Sequence, residues 1–153
     1  MNENVKTGEE IGRKLFMLRD YTPIPLILLL LFVNNASVLT TICAMLSITL
    51  GELIRLYSVA FIGGISRTRS SSLGESLVAS GPFRYVRNPL YVGNFFITAG
   101  FGIFSGVFWY LLLSIIFFAV QYHFIVQYEE SLLRAKFGDE FDSYTQNVPA
   151  WFP

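Results

Sequence analysis

Two charged residues stand inside an otherwise uncharged apolar stretch of the chain. The 44 residues 21–64 contain one acid and one base, Glu52 and Arg55. A charge inside a membrane span costs about 2.5–3.5 kcal/mol on insertion scales and usually faces a protein interior or a water-filled cavity. The i, i+3 spacing places both side chains on one helix face, where they can neutralise each other. A self-compensating structural pair and a contact with substrate both remain open.

The segment Gly81–Tyr91, with the sequence GPFRYVRNPLY, concentrates aromatic residues, arginines and an asparagine just before a predicted helix. Pro89 suits the first turn of that helix, because its missing N–H costs nothing there. A helix N-terminus offers unpaired N–H groups and a partial positive charge, so an anionic group can dock beside it. The alternative is an ordinary interfacial belt of aromatic and basic residues.

A third group of polar residues lies at the end of the last apolar run. Glu129 and Glu130 are adjacent there, and helical spacing aligns Glu130 with His123 and Gln127. Two carboxylates can hold a cation, although a solvated helix end has the same pattern. His123 can act as a base or be a structural residue. No spacing of His, Cys or acidic residues predicts a metal site.

Composition places these residues in a membrane protein. The chain has 153 residues, of which 53% are hydrophobic and 14% are charged, against about 25% charged in soluble domains. Residues 90–128 carry no charge at all. The sequence therefore predicts a single-domain, all-α integral membrane protein with about four transmembrane helices. The lone Cys43 is predicted to be a small buried hydrophobe, and no nucleic-acid partner is expected.

The predicted elements follow the apolar runs. Residues 1–20 form an amphipathic interfacial lead-in, or alternatively a frayed tail. The spans cover about 23–36, 38–62, 89–104 and 107–128, and residues 129–153 form a C-terminal segment with a short helix. The acidic N-terminus is not that of a cleaved signal peptide.

Basic residues fix the predicted orientation. They precede the first span, lie between the second and third, and follow the fourth, whereas the other two connections contain none. By the positive-inside rule, both termini and the central segment face the cytoplasm. The chain is thus expected in the cytoplasmic membrane, with its chemically interesting segments on the cytoplasmic side.

The order of the motifs resembles a known superfamily. GPFRYVRNPLY is followed by a two-helix hairpin and then by YEESLLRAKFGDEFDSYTQNVP. This arrangement is similar to that of the isoprenylcysteine carboxyl methyltransferase and phospholipid methyltransferase superfamily. Its pattern is G-P-Y/F-R-x-x-R-H-P-x-Y, then E-E, then F-G-x-E-Y-x-x-Y-x-x-x-V-P. The likeness extends over Gly51–Pro149, roughly two-thirds of the chain.

The resemblance implies transfer of a methyl group from S-adenosyl-L-methionine to a membrane-associated acceptor. It implies a cofactor pocket between the final helices and their cytosolic segments rather than a Rossmann sheet. By position, the cofactor-binding residues are Thr68, Glu75, Ser76, Leu77, Val78, Phe83, Asn88, Pro89, Leu90, Tyr91 and Glu129. Glu129, Asn88 and Tyr91 are the candidate catalytic residues, and Arg55, Glu52 and His123 are candidate substrate contacts.

Two positions differ from the superfamily pattern and leave the acceptor open. Asn88 stands where His is common, and Ile125 stands where the prenylcysteine enzymes carry an arginine. The acceptors considered are an isoprenylcysteine-like carboxylate, a phospholipid amine, a small thiol and an isoprenoid hydroxyl. The alternative functions are an NADPH-dependent, sterol-reductase-like membrane enzyme and a non-catalytic membrane scaffold. The sequence makes no prediction about oligomeric state.

Overall fold

The apolar runs of the chain fold into helices in a computed structural model, which describes residues 3–62 and 76–153. The helices are α1 (Glu3–Leu18), α2 (Ile24–Phe32), α3 (Val38–Ile62), α4 (Pro89–Phe104), α5 (Phe108–Phe137) and α6 (Asp139–Asn147), with a 3₁₀ turn at Gly81–Arg84 before α4. The described part of the chain contains no strand. The all-α class predicted from the sequence is therefore confirmed.

Two of the described helices are long and apolar enough to cross a membrane. These are α3, with 25 residues, and α5, with 30 residues. Helix α4 has 16 residues and α2 has nine, so α2 is only about 14 Å long. Of the four predicted spans, only α3 and α5 are therefore confirmed as candidates, because crossing a hydrocarbon core about 30 Å thick takes roughly 20 helical residues.

Helix α3 exposes much of its apolar surface. Leu46 is 67% exposed and Leu53 is 59% exposed, and large exposed apolar patches mark a membrane or protein contact. Cys43 is exposed on the same helix. The prediction that Cys43 is buried is wrong, since only small residues of α3 (Ala44, Gly51 and Ser58) are buried inside the protein.

Helices α3 and α4 pack closely through residues without side chains. A Cβ atom on Gly51 would lie 2.6 Å from the Gly93 carbonyl oxygen, and one on Gly93 would lie 2.7 Å from the Gly51 carbonyl oxygen. Ser47 Oγ also donates a 2.7 Å hydrogen bond to the carbonyl of Phe96. Small residues let membrane helices approach to backbone contact, so these positions determine how α3 and α4 cross.

The chain from α1 to α2 runs antiparallel along α5. Gly12 faces the Phe124 carbonyl, Tyr110 Oη donates to the Leu26 carbonyl at 2.7 Å, and the Asn35 amide donates to the Ser105 carbonyl at 2.8 Å. The segment 1–20, predicted as an interfacial lead-in, therefore includes a helix that packs on α5. Gly12 makes this possible because it has no side chain to hold the helices apart.

The C-terminal residues pack back onto α5 and, through the Arg87 amide bond to the Pro149 carbonyl, onto the start of α4. Helix α5 continues to Phe137, nine residues beyond the predicted end of the last span. Gly138, with φ +50°, then turns the chain into α6, the short C-terminal helix that the sequence predicts. Phe141 is only 1% exposed, and the Trp151 ring lies 6.4 Å from that of Phe118.

Candidate functional site

A cavity of about 970 Å³ lies among α1, α2, α3, α4, α5 and α6. Of the predicted cofactor-binding residues, Ser76, Leu77, Val78, Phe83, Asn88, Pro89, Leu90, Tyr91 and Glu129 line it. Thr68 and Glu75 lie outside the described residues. Residues separated by up to 53 positions in the sequence are thus brought to one surface.

Tyr91 and Glu129 meet in this cavity. Tyr91 lies in the first turn of α4, and its hydroxyl donates a 2.7 Å hydrogen bond to Glu129 Oε2 on α5. Tyr91 is 9% exposed and packs on Ile125 and Val126, while its ring centroid lies 4.6 Å from that of Tyr122. The carboxylate is therefore held in a fixed position by a buried donor.

The neighbouring carboxylate of Glu130 has a different partner. Arg87 Nε and Nη2 each lie 2.9 Å from Glu130 Oε1, and Arg87 Nη1 donates to the carbonyls of Val148 and Thr145 at 2.6 and 3.3 Å. The adjacent glutamates, predicted together as a possible cation site, therefore differ. Glu130 is neutralised by arginine, whereas Glu129 is held by a neutral phenol.

Asn88 is both a cavity residue and a contact to the C-terminal segment. Its Nδ2 donates to the carbonyl of Ala150 at 3.2 Å, and the adjacent Arg87 amide donates to the Pro149 carbonyl at 2.9 Å. These bonds fix the start of α4 against residues 149–150. The catalytic role of Asn88 remains a prediction.

Helix α6 supports the 3₁₀ turn that carries Phe83. Tyr144 Oη donates a 2.6 Å hydrogen bond to the Phe83 carbonyl. Burial raises the pKa of Tyr144 from its ordinary value of 10.0 to about 12, because the ionised phenolate would lose solvation. Phe83 itself is 7% exposed, so its ring forms a firm wall of the cavity.

The three predicted substrate contacts separate in the structure. Arg55 lines the cavity. Glu52 is not among the lining residues, and it lies half-exposed with its Oε1 3.6 Å from Arg55 Nη1. His123 lies instead in a smaller apolar groove of about 290 Å³ beside Trp151 and Phe152, with its Nε2 3.1 Å from Gln127 Nε2. Only Arg55 is therefore placed beside the predicted cofactor residues.

The structure adds polar lining residues that the sequence interpretation did not select. Arg19 and Asp20 lie in the turn between α1 and α2 and line the cavity. Asn94 Nδ2 donates to Tyr122 Oη at 2.8 Å, joining α4 to α5. Asn94 was detectable in principle, because an amide in the charge-free run 90–128 needs a hydrogen-bonding partner in an apolar environment. Arg19 had no comparable signal, since it follows other basic residues.

The described residues contain no group of three His, Cys, Asp or Glu side chains that could hold a metal ion. The cavity lining combines aromatic rings, the half-buried Glu129 carboxylate with its tyrosine partner, two further carboxylates (Asp20 and Glu130) and basic groups. Such a lining suits an organic cation at the Tyr91–Glu129 end, because aromatic faces and a carboxylate both stabilise positive charge.

Comparison with known proteins identifies the family. The phospholipid methyltransferase family model matches residues 39–140, and the chain belongs to this family. The resemblance to the isoprenylcysteine carboxyl methyltransferase-like superfamily is thereby confirmed. The matched region contains α3, α4 and α5 and begins after α2, so Arg19 and Asp20 lie outside it.

Two curated bacterial proteins are similar over most of the chain. It is 33% identical over 119 residues to the nickel-cobalt-cadmium resistance protein NccN of Alcaligenes xylosoxydans xylosoxydans, covering 78% of this chain and 51% of that protein. It is 30% identical over 109 residues to the cobalt-zinc-cadmium resistance protein CzcN of Cupriavidus metallidurans, covering 71% and 47% respectively. The chain therefore spans about half the length of these relatives.

Proposed function

We propose that this protein is a membrane-embedded, S-adenosyl-L-methionine-dependent methyltransferase acting on a lipid-like or small apolar acceptor. The family assignment supports methyl transfer. The observation that carries the proposal is the hydrogen bond between Tyr91 and Glu129 in the wall of the large cavity. It presents a half-buried carboxylate among aromatic residues, an arrangement that suits a cationic cofactor.

The donor set suits the cofactor. Tyr91 engages Oε2 of Glu129, and Oε1 can accept hydrogen bonds from an ammonium group or from ribose hydroxyls. Phe83 and Tyr91 line the same cavity and offer faces for adenine stacking and for a sulfonium cation. When bound, the cofactor supplies an electrophilic methyl group.

The chain's own residues then act mainly by positioning. The Tyr91 hydroxyl holds the Glu129 carboxylate. The bonds of Asn88 and Arg87 to the C-terminal segment fix the first turn of α4. Tyr144 supports the 3₁₀ turn that carries Phe83. Holding two reactants in line supplies much of the rate enhancement in such a transfer. Apolar lining residues of α2 and α4, including Leu26, Ile97 and Phe101, exclude water and suit an apolar part of the acceptor.

We also propose that the protein lies in the cytoplasmic membrane with both termini and the Glu129 end of the cavity at the cytoplasmic face. Among the described residues, Arg84, Arg87, Arg134 and Lys136 lie near this end, in the 3₁₀ turn, before α4 and in the last turn of α5. The connections Asn34–Ser37 and Ser105–Val107, at the opposite ends of the helices, contain no base. This distribution supports the orientation through the positive-inside rule.

The names of the relatives add a second functional question. Both are called metal resistance proteins. On the proposed function, a contribution of this chain to metal tolerance would arise from the methylated product. Growth of a deletion strain, complemented by wild type or by Glu129→Gln, in graded nickel, cobalt, zinc and cadmium tests this contribution.

Calorimetric titration of S-adenosylhomocysteine into detergent-purified protein tests the enzyme assignment directly. We expect saturable binding to wild type and at least about tenfold weaker binding to Glu129→Gln, because a charge-assisted hydrogen bond contributes about 1.5–3 kcal/mol. Glu140→Gln is the matched control, since Glu140 is exposed in α6 and does not line the cavity.

Lack of binding to wild type, or equal binding to wild type and Glu129→Gln, contradicts the assignment. A parallel fluorescence titration with NADPH distinguishes the reductase alternative, which predicts binding of the nicotinamide cofactor instead. The scaffold alternative predicts binding of neither ligand. Incubation of membranes with cofactor labelled in its methyl group, followed by mass spectrometry of the lipid and small-molecule fractions, then identifies the acceptor.

A further inference from the structure

The last residues of the chain are bonded to the start of α4 through three consecutive carbonyls, those of residues 148–150. Arg87 donates from Nη1 to the first carbonyl at 2.6 Å and from its amide to the second at 2.9 Å. Asn88 Nδ2 donates to the third carbonyl at 3.2 Å. A chain end frays unless it is tied down, so these bonds hold the following residue, Trp151, in place against the helices.

Trp151 packs behind the aromatic wall of the large cavity. Its ring centroid lies 6.4 Å from that of Phe118, in an edge arrangement, and it packs against the buried cluster that contains Tyr91. Trp151 lines the smaller groove but is not among the lining residues of the large cavity. Phe118 and Tyr122 line both spaces. These two rings therefore form a partition between the groove and the cavity, and Trp151 supports the partition from the groove side.

A continuous series of ring contacts leads from Trp151 to the Tyr91 hydroxyl. The ring centroids of Phe118 and Tyr122 lie 4.3 Å apart, and those of Tyr122 and Tyr91 lie 4.6 Å apart. The Tyr122 hydroxyl is itself fixed by a 2.8 Å bond from Asn94. Aromatic pairs at such separations prefer defined relative orientations, so the position of one ring restricts the next. The last ring carries the hydroxyl that donates to the cavity carboxylate.

The groove leaves the partition dependent on Trp151. About 290 Å³ of open space lies on this side, so the rings of Phe118 and Tyr122 are not backed by protein along their whole length. Phe152 also lines the groove, but it is 79% exposed and supports the partition little. Because a structure relaxes only partly around a truncated side chain, loss of the Trp151 ring would enlarge the space and let the partition rotate away from Tyr91.

We infer that Trp151 is a positioning residue for the cofactor site: through the aromatic series it holds the Tyr91 ring where its hydroxyl fixes Glu129. The inference rests on the proposed function, because it gives the C-terminal segment a task in binding the same cofactor. Trp151 lies beyond the region 39–140 that the family model matches. Asn88 has a defined part in this arrangement, since its amide anchors the residue directly before Trp151.

Calorimetric titration of S-adenosylhomocysteine into the detergent-purified full chain tests this role. We expect Trp151→Ala to weaken binding about fivefold, and Trp151→Phe, which keeps an aromatic ring, to weaken it less. Phe152→Ala is the matched control in the same groove and should bind like wild type. Equal affinity of Trp151→Ala and wild type overturns the inference while leaving the proposed function in place. Lack of binding by wild type overturns the proposed function, and this inference with it.

A double-mutant cycle separates positioning from a general effect on the fold. If Trp151 acts through the Tyr91 hydroxyl, Trp151→Ala should weaken binding much less in a Tyr91→Phe background than in wild type, because residues that act through one group are not additive. The same loss of affinity in both backgrounds shows that Trp151 acts by another route and overturns the inference. Should Trp151→Ala not fold, Trp151→Phe goes through the same cycle with the same two outcomes.

Discussion

Arg87, which directly precedes Asn88 and the start of α4, forms an ion pair with Glu130 near the C-terminal end of α5. Two guanidinium nitrogens lie 2.9 Å from one carboxylate oxygen, and the third bonds to backbone carbonyls of the C-terminal segment. The side chains are 15% and 20% exposed. One arginine thus connects three parts of the chain and holds the helix start that bears Asn88 and Tyr91.

Removing one partner of this pair is expected to destabilise the protein strongly. Arg87→Gln or Glu130→Gln leaves the other charge largely buried without compensation, which costs about 3–5 kcal/mol for a buried pair. Thermal unfolding in detergent measures the loss. The ion pair between Arg134 and Asp142 is the matched control. Its 2.7 Å contact is shorter, but its side chains are 53% and 48% exposed. Arg134→Gln should therefore lower the free energy of unfolding by less than about 1 kcal/mol. Equal effects of the two substitutions would contradict this account.

The α3–α4 contact makes a second prediction. Gly51→Ala places a methyl group 2.6 Å from the Gly93 carbonyl oxygen, and this backbone cannot move without separating the helices. We expect Gly51→Ala to lower the free energy of unfolding by about 1–3 kcal/mol, as at other overpacked sites. Thermal unfolding in detergent measures this change. At Gly8 the same change meets only the end of the Gln127 side chain at 3.7 Å, so Gly8→Ala should be neutral or stabilising through helix propensity. A Gly51→Ala protein as stable as wild type would show that the helices are not tightly packed.

The sequence was a good guide to this site where a residue type is unusual for its surroundings. Asn88, Tyr91 and Glu129 stood out within a recognisable motif, and the structure places all three on the cavity wall. Arg19 did not stand out, because its place in the cavity lining depends on a long-range contact: the path of α1 and α2 along α5. That path relies on Gly12 and on the bond from Tyr110 to Leu26, and neither leaves a periodic signal. Helix ends were also hard to predict, since α5 passes without interruption from apolar residues to charged ones.

Tyr144 gives a prediction about pH. Its pKa is raised to about 12 by burial, whereas in the unfolded chain the phenol ionises near its ordinary value of 10.0. Its contribution to stability is therefore complete below about pH 10 and is lost as the pH rises towards 12, because only the unfolded state releases the proton in that interval. In an ultraviolet titration of phenolate absorbance, Tyr144→Phe should remove a group ionising near pH 12.

The wild-type protein is the comparison for that titration. If the wild-type and Tyr144→Phe curves coincide near pH 12, Tyr144 is not held in a desolvated position.

The proposed orientation predicts which positions a membrane-impermeant thiol reagent can reach. In a Cys43→Ser background, which removes the native cysteine, Asn35→Cys lies between α2 and α3 and Gln146→Cys lies in α6; both positions are exposed. Maleimide labelling of intact spheroplasts should modify Asn35→Cys, whereas Gln146→Cys should require permeabilised cells. The reverse pattern would place the Glu129 end of the cavity outside the cytoplasm.

The hydrogen bond between Tyr91 and Glu129 makes the final prediction. Tyr91→Phe keeps the ring that packs on Ile125 and Val126 but removes the donor that fixes Glu129 Oε2. We expect binding of S-adenosylhomocysteine to weaken about tenfold, since a hydrogen bond to a charged group contributes about 1.5–3 kcal/mol. Tyr85→Phe, whose hydroxyl does not line the cavity, should bind like wild type. If Tyr91→Phe also binds like wild type, Glu129 is positioned by other groups and the phenol is dispensable, whereas loss of binding in both variants would point to a general disturbance of the fold.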